Sequence, residues 1–337
     1  MSSPFFTVVI PTYNRARLAA AAVLSLLGQT EKDWEAFVVD DGSADGTPEV
    51  LARLPADPRV TVVAQKENGG QHRCRNLAIA RARGRFVTFL DSDDMYLPSR
   101  LAAFRAAAEA RPGVGFWFSN AYVWRLGRVV GTLFDPAREI PQGRVPGHYA
   151  VGERWLPYVT TNVAVSREAF ERFGPFRTDL RILEDTELYA RMLAGGLEVG
   201  ALAAPLSVRT LHEGQITREH GRDYRESLEA LRASGLPAEL FEERRRALAE
   251  EVAGYMLKSL KPDEARAFLA AELGAAAARK TGVWRWAALP APVLAAARAA
   301  RGAWLRARYS PALAPADYAA AAAAVKPYLD EAARLAP

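Results

Sequence analysis

Four short apolar runs punctuate the first ninety residues, at 7–10, 34–39, 60–64 and 86–90. Each has the length and β-rich content of a buried strand. Helix-forming stretches separate them. The first covers 16–28, with Leu18, Leu26 and Leu27 as apolar positions and Gly28 at its end. The second begins at Asp45-Gly46-Thr47, and the third covers about 72–83. Strands and helices alternating across short loops predict a parallel sheet with crossover helices. Polar residues gather where strands end, at 11–14, 40–43 and 91–94. These ends share one edge of the predicted sheet, where α/β proteins bind ligands, and they outline a nucleotide-sized crevice.

The pattern then loosens. A helix is expected over 99–110, stopped by Arg111-Pro112-Gly113. Residues 114–122 read as a strand, with 124–130 as its hairpin partner. Residues 131–152 are rich in Pro and Gly and lack a clear period; they read as acceptor-side loops. A strand with a polar entry is expected at 160–165, then a helix opening within 183–188 and ending at Gly195-Gly196, then a strand-like run at 206–211. From about 224 the chain is helical in character and rich in Ala, Arg and Glu. The expected division is an α/β domain over 1–220 and an α-helical C-terminal region over 221–337. Within the first, a nucleotide-binding half covers about 1–98 and an acceptor half about 99–220.

Length and composition narrow the class. The 337 residues suit one large domain with an appendage, or two domains. A single cysteine, Cys74, excludes an intrachain disulfide and fits a reducing, cytoplasmic setting. The apolar run at 5–10 is too short for a signal peptide and is broken by Pro11. No window of about 20 residues is apolar and charge-free, so no membrane span is expected. The net charge of +5 suits anionic substrates, a membrane surface or nucleic acid. Acids and bases are well mixed up to about residue 250, which argues against a nucleic-acid patch. There is no GxxxxGK[ST] run, and Gly69-Gly70 alone makes no dinucleotide fingerprint.

Two acidic clusters carry candidate chemistry. Asp91, Asp93 and Asp94 fall within four residues directly after a strand. Like charges this close repel unless a cation sits among them. Mg²⁺ typically takes one or two carboxylates and completes its shell with substrate phosphates. The plain alternative is a polar loop capping the helix after Pro98. The second cluster, Glu184, Asp185 and Glu187, opens a helix and would complement its dipole whatever else it does.

Four segments occur in order: VVIPTYNR, VVDDGSADGT, ENGGQHRCRNLAIARARGRF and FLDSDD. Together they resemble glycosyltransferase family 2, which has the GT-A fold, a Rossmann-like, mostly parallel sheet with flanking helices. The resemblance covers roughly residues 5–215. It implies that Pro11, Thr12 and Tyr13 lie against a nucleotide base and that Asp41 accepts a hydrogen bond from a uracil imide. Such an acceptor suits uridine or thymidine better than cytosine. It puts Arg75 and Asn76 near base and phosphates, although Arg75 by itself reads as a helix-surface arginine. Asp91 and Ser92 would face the ribose or donor sugar, and Asn162 would line the donor-sugar pocket. Asp93 would bind Mg²⁺ or Mn²⁺, joined by His212, with Asp94 accessory. Asp185 would be the general base, with Glu184 next in line. Asp40 and Asp45 read as turn-shaping residues, and His72, His148, His220 and Cys74 carry no role.

The implied activity is metal-dependent, inverting transfer of a sugar from a UDP- or dTDP-sugar to a hydroxyl of a glycan, lipid-linked or other acceptor, as in polysaccharide biosynthesis. The alternatives are a nucleotidyltransferase and a non-catalytic sugar-nucleotide binder; no nucleic-acid partner is expected. The tail lies outside the resemblance. Residues 273–316 hold seven Lys or Arg and no acid, and 283–309 join Trp284, Trp286 and Trp304 to five arginines. That mixture suits a membrane headgroup region. A side of small residues, Ala295, Ala296, Ala299, Gly302 and Ala303, favours instead a helix docked on its own protein or on a dimer mate.

Overall fold

The structure, a computed structural model, describes residues 3–125, 127–151, 155–180, 182–212, 220–290, 292–297 and 316–336. The first half alternates as expected: β1 (Phe6–Thr12), α1 (Ala16–Leu27), β2 (Trp34–Asp40), α2 (Thr47–Ala52), β3 (Val60–Ala64), α3 (Gln71–Ile79) and β4 (Phe86–Phe89). β1 lies between β2 and β4, and β3 flanks β2, all parallel. Pro11 sits inside β1 at no cost to the ladder. Leu90 donates to the Val9 carbonyl, so Val9 and Pro11 turn their backbone groups toward β4. Pairing with β4 ends at Val9, so Pro11 falls just beyond the paired part of that ladder, where a proline is tolerated.

The second half adds β5 (Met95–Tyr96), α4 (Arg100–Ala110), β6 (Phe116–Arg125), β7 (Arg128–Thr132), β8 (Val163–Ser166), α5 (Arg167–Phe173), α6 (Glu184–Ala194) and β9 (Val199–Leu211). The sheet runs β3-β2-β1-β4-β8-β6-β9-β5, with β7 beside β6. β8 is antiparallel to both β4 and β6, and β6 runs parallel to β9. The sheet is therefore parallel in its first half and mixed in its second.

Several boundaries differ from the sequence pattern. β6 continues to Arg125, so Trp124 belongs to it and pairs with Val129 of the hairpin partner. The turn is made at Gly127, whose φ of +81° suits only glycine comfortably. Residues 131–152 include the end of β7 and a 3₁₀ turn at Gly147–Ala150. β9 is 13 residues long, although only 206–211 reads as strand. Gly200, a run of alanines and Pro205 blur its alternation, and the register with β6 shifts beyond Ser119 to accommodate them. β5, at two residues, is too short to show any period.

Both faces of the sheet are covered. Phe6, Val8 and Ile10 of β1 pack with Ala19, Ala22 and Leu26 of α1 and with Leu101 and Phe104 of α4. Val9 points the other way, joining Cys74 and Ala78 of α3 and Leu188, Tyr189 and Met192 of α6. Burial on both sides explains why the central strands read as continuous apolar runs.

The molecule comprises two compact units. The second contains α7 (His220–Ala233), α8 (Ala238–Lys258), α9 (Pro262–Leu273), α10 (Ala275–Ala278) and α11 (Gly282–Ala287), around a core of Leu228, Val252, Ala265 and Leu269. The last helix, Ala316–Leu335, belongs to the first unit, where Val325, Ala332 and Tyr328 pack with Ala20 and Ala21 of α1. Residues 298–309 of the Trp- and Arg-rich stretch lie outside the described residues. Among the described residues no helix is long and apolar enough to cross a membrane.

Candidate active site

The chain leaves β4 through Asp91-Ser92-Asp93-Asp94, a tight turn closed by the Asp94 N–H on the Asp91 carbonyl (2.9 Å). The turn sends its three carboxylates in different directions. Asp93 Oδ2 lies 2.9 Å from His212 Nε2, just beyond β9, and is also hydrogen-bonded by Arg15, just before α1. Burial pushes the Asp93 carboxyl up, but the His212 hydrogen bond and the Arg15 guanidinium outweigh it and hold it below its ordinary range. Asp94 is buried and tethers the turn: Oδ2 accepts from the Thr161 hydroxyl (2.6 Å) and Oδ1 from the Thr210 N–H (2.8 Å). Burial and the charges of Asp93 and Asp91 push its carboxyl well above the usual range.

Asp91 turns to Arg75, whose placement overturns the surface reading. Arg75 is 1% exposed. Its Nη2 donates to Asp91 Oδ1 (2.9 Å) and its Nη1 to Glu184 Oε1 (2.8 Å). Gln71 joins the same group, donating to Glu184 and accepting from Arg75. Burial pushes the Glu184 carboxyl up to about 7, with a further push from Asp185 and opposition from Arg75. This Asp91–Arg75–Glu184 bridge joins the turn after β4, the middle of α3 and the start of α6.

α6 opens after Leu183, a non-glycine residue in the left-handed region (φ +55°). The first turn splits its acids. Glu184 faces Arg75, whereas Asp185 stays half-buried and turns to the loop before β8. Asp185 Oδ2 accepts from the Thr160 hydroxyl (2.9 Å), and Oδ1 accepts from the Thr186 N–H (2.7 Å) and, more weakly, from the Thr186 hydroxyl (3.5 Å). Oδ2 keeps a lone pair for another donor. Asn76 fixes the approach to α6: both ends of its amide bind the Phe176 backbone, at 2.8 and 2.9 Å.

At the nucleotide edge, Asp41 accepts from the N–H groups of Gly69 (2.9 Å) and Gly70 (2.8 Å), and the buried Cys74 thiol lies against it. Pro11 and Thr12 are buried, and among the described residues the Thr12 hydroxyl has no partner; Tyr13 is 43% exposed. Asp40 and Asp45 shape turns, accepting from the N–H groups of Ser43 and Thr47. Ser92 is buried beside the carboxylate turn. Asn162, expected at a donor sugar, is fully buried, and both ends of its amide are committed to the backbone of Val159 and Ser119. It braces a turn. Three contributors escaped the sequence reading: Arg15, Gln71 and Thr160. Arg15 lies within PTYNR and Thr160 in the polar entry to β8, but neither position shows which carboxylate it meets.

Among the described residues no three His, Cys, Asp or Glu side chains surround one point. Asp93 and His212 offer two donors, an oxygen and an imidazole nitrogen. In this structure they face each other and the Arg15 guanidinium, so Mg²⁺ or Mn²⁺ held here would take the place of that guanidinium on Asp93 Oδ2, with substrate phosphates completing the shell. A cavity of about 670 Å³ opens elsewhere, beside Phe5, Arg85, Arg105 and Arg172, and touches none of these residues.

Residues 7–173 match the family model described as Glycosyl transferase family 2. The chain is 34% identical over 223 residues to the succinoglycan biosynthesis protein ExoO of Rhizobium meliloti, covering 64% of this chain and 63% of that one. It is 35% identical over 124 residues to the putative colanic acid biosynthesis glycosyl transferase WcaA of Escherichia coli, covering 36% and 44%. These matches span less than two thirds of either relative. Among solved structures, TarS 1–349 of S. aureus in complex with UDP-GlcNAc aligns with TM-score 0.57 and 20% identity, over 81% of this chain and 82% of that one. The mannosyltransferase PcManGT of Pyrobaculum calidifontis, in complex with GDP-Man and Mn²⁺, aligns with TM-score 0.54 and 21% identity, over 98% and 86%. The fold is GT-A, with a helical C-terminal region.

Proposed function

We propose, for a chain that belongs to glycosyl transferase family 2 through residues 7–173, a metal-dependent, inverting transfer of a sugar from a UDP- or dTDP-sugar to a hydroxyl of a glycan or lipid-linked acceptor. The observation that carries this reading is the division of the site. Asp93 and His212 meet at one side, Asp185 stands apart at the other, and the Asp91–Arg75–Glu184 bridge joins them. The solved TarS complex holds UDP-GlcNAc, and two relatives are named for polysaccharide biosynthesis, which supports the donor and acceptor classes.

Asp185 takes the proton of the acceptor hydroxyl as that oxygen bonds to the anomeric carbon. The bond from that carbon to the diphosphate oxygen breaks, and its electron pair leaves with the diphosphate. One displacement with one base inverts the anomeric centre. Asp93 and His212 would hold Mg²⁺ or Mn²⁺, which when bound neutralises charge on the leaving diphosphate. Glu184 is bound to Arg75 and almost wholly buried, which favours Asp185 as the base. Asp41 accepts from the base imide.

Thermal unfolding with a panel of UDP-, dTDP- and GDP-sugars, with and without Mn²⁺, tests the reading. Stabilisation by a UDP- or dTDP-sugar that requires the metal is expected. Stabilisation by GDP-sugars alone, or by no nucleotide sugar, would overturn it.

A second reading concerns the tail. Trp286 is 53% exposed, Val293 47% and Leu289 37%, in a stretch without acids. This favours peripheral contact with an anionic membrane surface. Salt-sensitive sedimentation with anionic vesicles, lost on truncation before Thr281, is the expected result. No sedimentation at low salt leaves the tail as a purely structural region or a dimer surface.

A further inference from the structure

The 3₁₀ turn Thr160–Asn162, which leads into β8, runs between the two sides of the site. Thr160 donates its hydroxyl to Asp185 Oδ2 (2.9 Å). Thr161 donates to Asp94 Oδ2 (2.6 Å) and accepts from the Asp91 N–H (3.1 Å). One turn therefore touches both the carboxylate turn after β4 and the acid at the start of α6. Asn162 braces it from inside through the Val159 N–H (2.9 Å) and the Ser119 carbonyl.

The turn is also anchored by an unusual group. Arg100 is fully buried, and its Nη2 donates to the Thr161 carbonyl (2.9 Å), the Thr88 hydroxyl (2.9 Å) and the Val163 carbonyl (3.4 Å). Its guanidinium lies 3.8 Å over the Tyr96 ring. These acceptors are neutral, and among the described residues Arg100 Nε and Nη1 have no hydrogen-bond partner. Burying a cation on neutral acceptors is costly.

We propose that Thr160 is a positioning residue for Asp185: its hydroxyl fixes the carboxylate in the rotation from which it takes the acceptor proton. The inference rests on Asp185 being the general base. The Thr186 N–H holds one carboxylate oxygen and the Thr160 hydroxyl the other, so the plane of the group is set at two points. Arg75, Asp91 and Glu184 are the charged groups around Asp185, with the hydroxyls of Tyr158 and Tyr189 nearby. Without the Thr160 bond, the carboxylate can rotate toward Arg75 and away from the acceptor.

Thr160→Val, which keeps the shape, Thr160→Ser, which keeps the hydroxyl, Asp185→Asn and the Thr160→Val/Asp185→Asn pair form the test. Turnover is read as nucleotide release from the best donor of the panel, and binding as thermal stabilisation by UDP with Mn²⁺. Thr160→Val is expected to lower kcat roughly 10-fold, the effect of losing one hydrogen bond to a charged group. Donor KM and the UDP-dependent stabilisation stay unchanged, Thr160→Ser restores kcat, and the substitution adds nothing when Asp185 is already Asn. A wild-type kcat in Thr160→Val, or an equal proportional loss in the Asp185→Asn background, overturns the proposal while leaving Asp185 as base. Full turnover by Asp185→Asn alone removes the base reading itself.

Discussion

Arg75 reads in sequence as one arginine among several on a cationic helix, and only its surroundings explain its burial. It neutralises Asp91 and Glu184, two acids that would otherwise repel each other and Asp185. Glu184 gives this balance a measurable consequence. Its carboxyl is raised from 4.5 to about 7, so the folded chain holds that proton more tightly than the unfolded chain. The contribution to stability is fully present below about 4.5 and is lost as pH rises through about 7. The whole swing is roughly 3 kcal/mol. Glu184→Gln lacks this titration, so its stability relative to the parent should improve across that window; urea unfolding on either side checks it. A gap that does not change with pH would contradict it. The two proposed roles also separate by substitution. Asp93→Ala should lose metal-dependent stabilisation by UDP and lose turnover together, and a variant with full activity in chelator-treated buffer would refute the metal assignment. Asp185→Asn should keep that stabilisation while turnover falls about 10²- to 10⁴-fold, read as nucleotide release.

At the scale of elements, the site depends on where β4 lies against β1. Gly84 sets that approach: its N–H donates to the Thr7 hydroxyl (2.9 Å), and a Cβ there would stand 2.3 Å from the Thr7 nitrogen. That atom is strand backbone and cannot step aside. Gly84→Ala should destabilise the chain by about 3 kcal/mol, near the upper end for overpacking, as measured by chemical denaturation. Near-parental stability would mean that the loop before β4 shifts freely. The elements that the pattern revealed are those buried on both faces, such as β1, β2 and β4, where most positions are apolar and the few polar ones, such as Thr7 and Thr88, are hydrogen-bonded. The ones it missed or shortened depend on partners distant in the chain. β5 exists only because Met95 and Tyr96 pair with Val208 and Ser207, and the first half of β9 only because β6 accepts its irregular register.

At the scale of the whole molecule, the last helix returns to the first unit and covers α1. Val325, Tyr328 and Ala332 pack with Ala20, Ala21, Val50 and Met95. Deleting residues 316–337 should expose this apolar patch and lower the melting temperature by several degrees; unchanged melting in a calorimeter would contradict it. The sequence alone determined the alternating first half, the edge where polar strand ends collect, the family resemblance, and the identity of Asp41, Asp93, Asp185 and His212 as candidates. The alternation and the polar strand ends are local, because a strand's burial and the chemistry at its end appear within a few adjacent residues, whereas Asp185 and His212 became candidates through the resemblance. Only the tertiary structure decided that Asp94 and Asn162 tether backbone, that Arg75 is buried between two acids, and that Arg15 and His212 meet at Asp93. It alone brought Thr160 to Asp185 and the last helix to α1. Most of these pairings join positions far apart in the chain, 25 for Thr160 with Asp185 and 197 for Arg15 with His212. Spacing along the chain carries no record of them, because the mixed strand order of the second half sets which ends become neighbours.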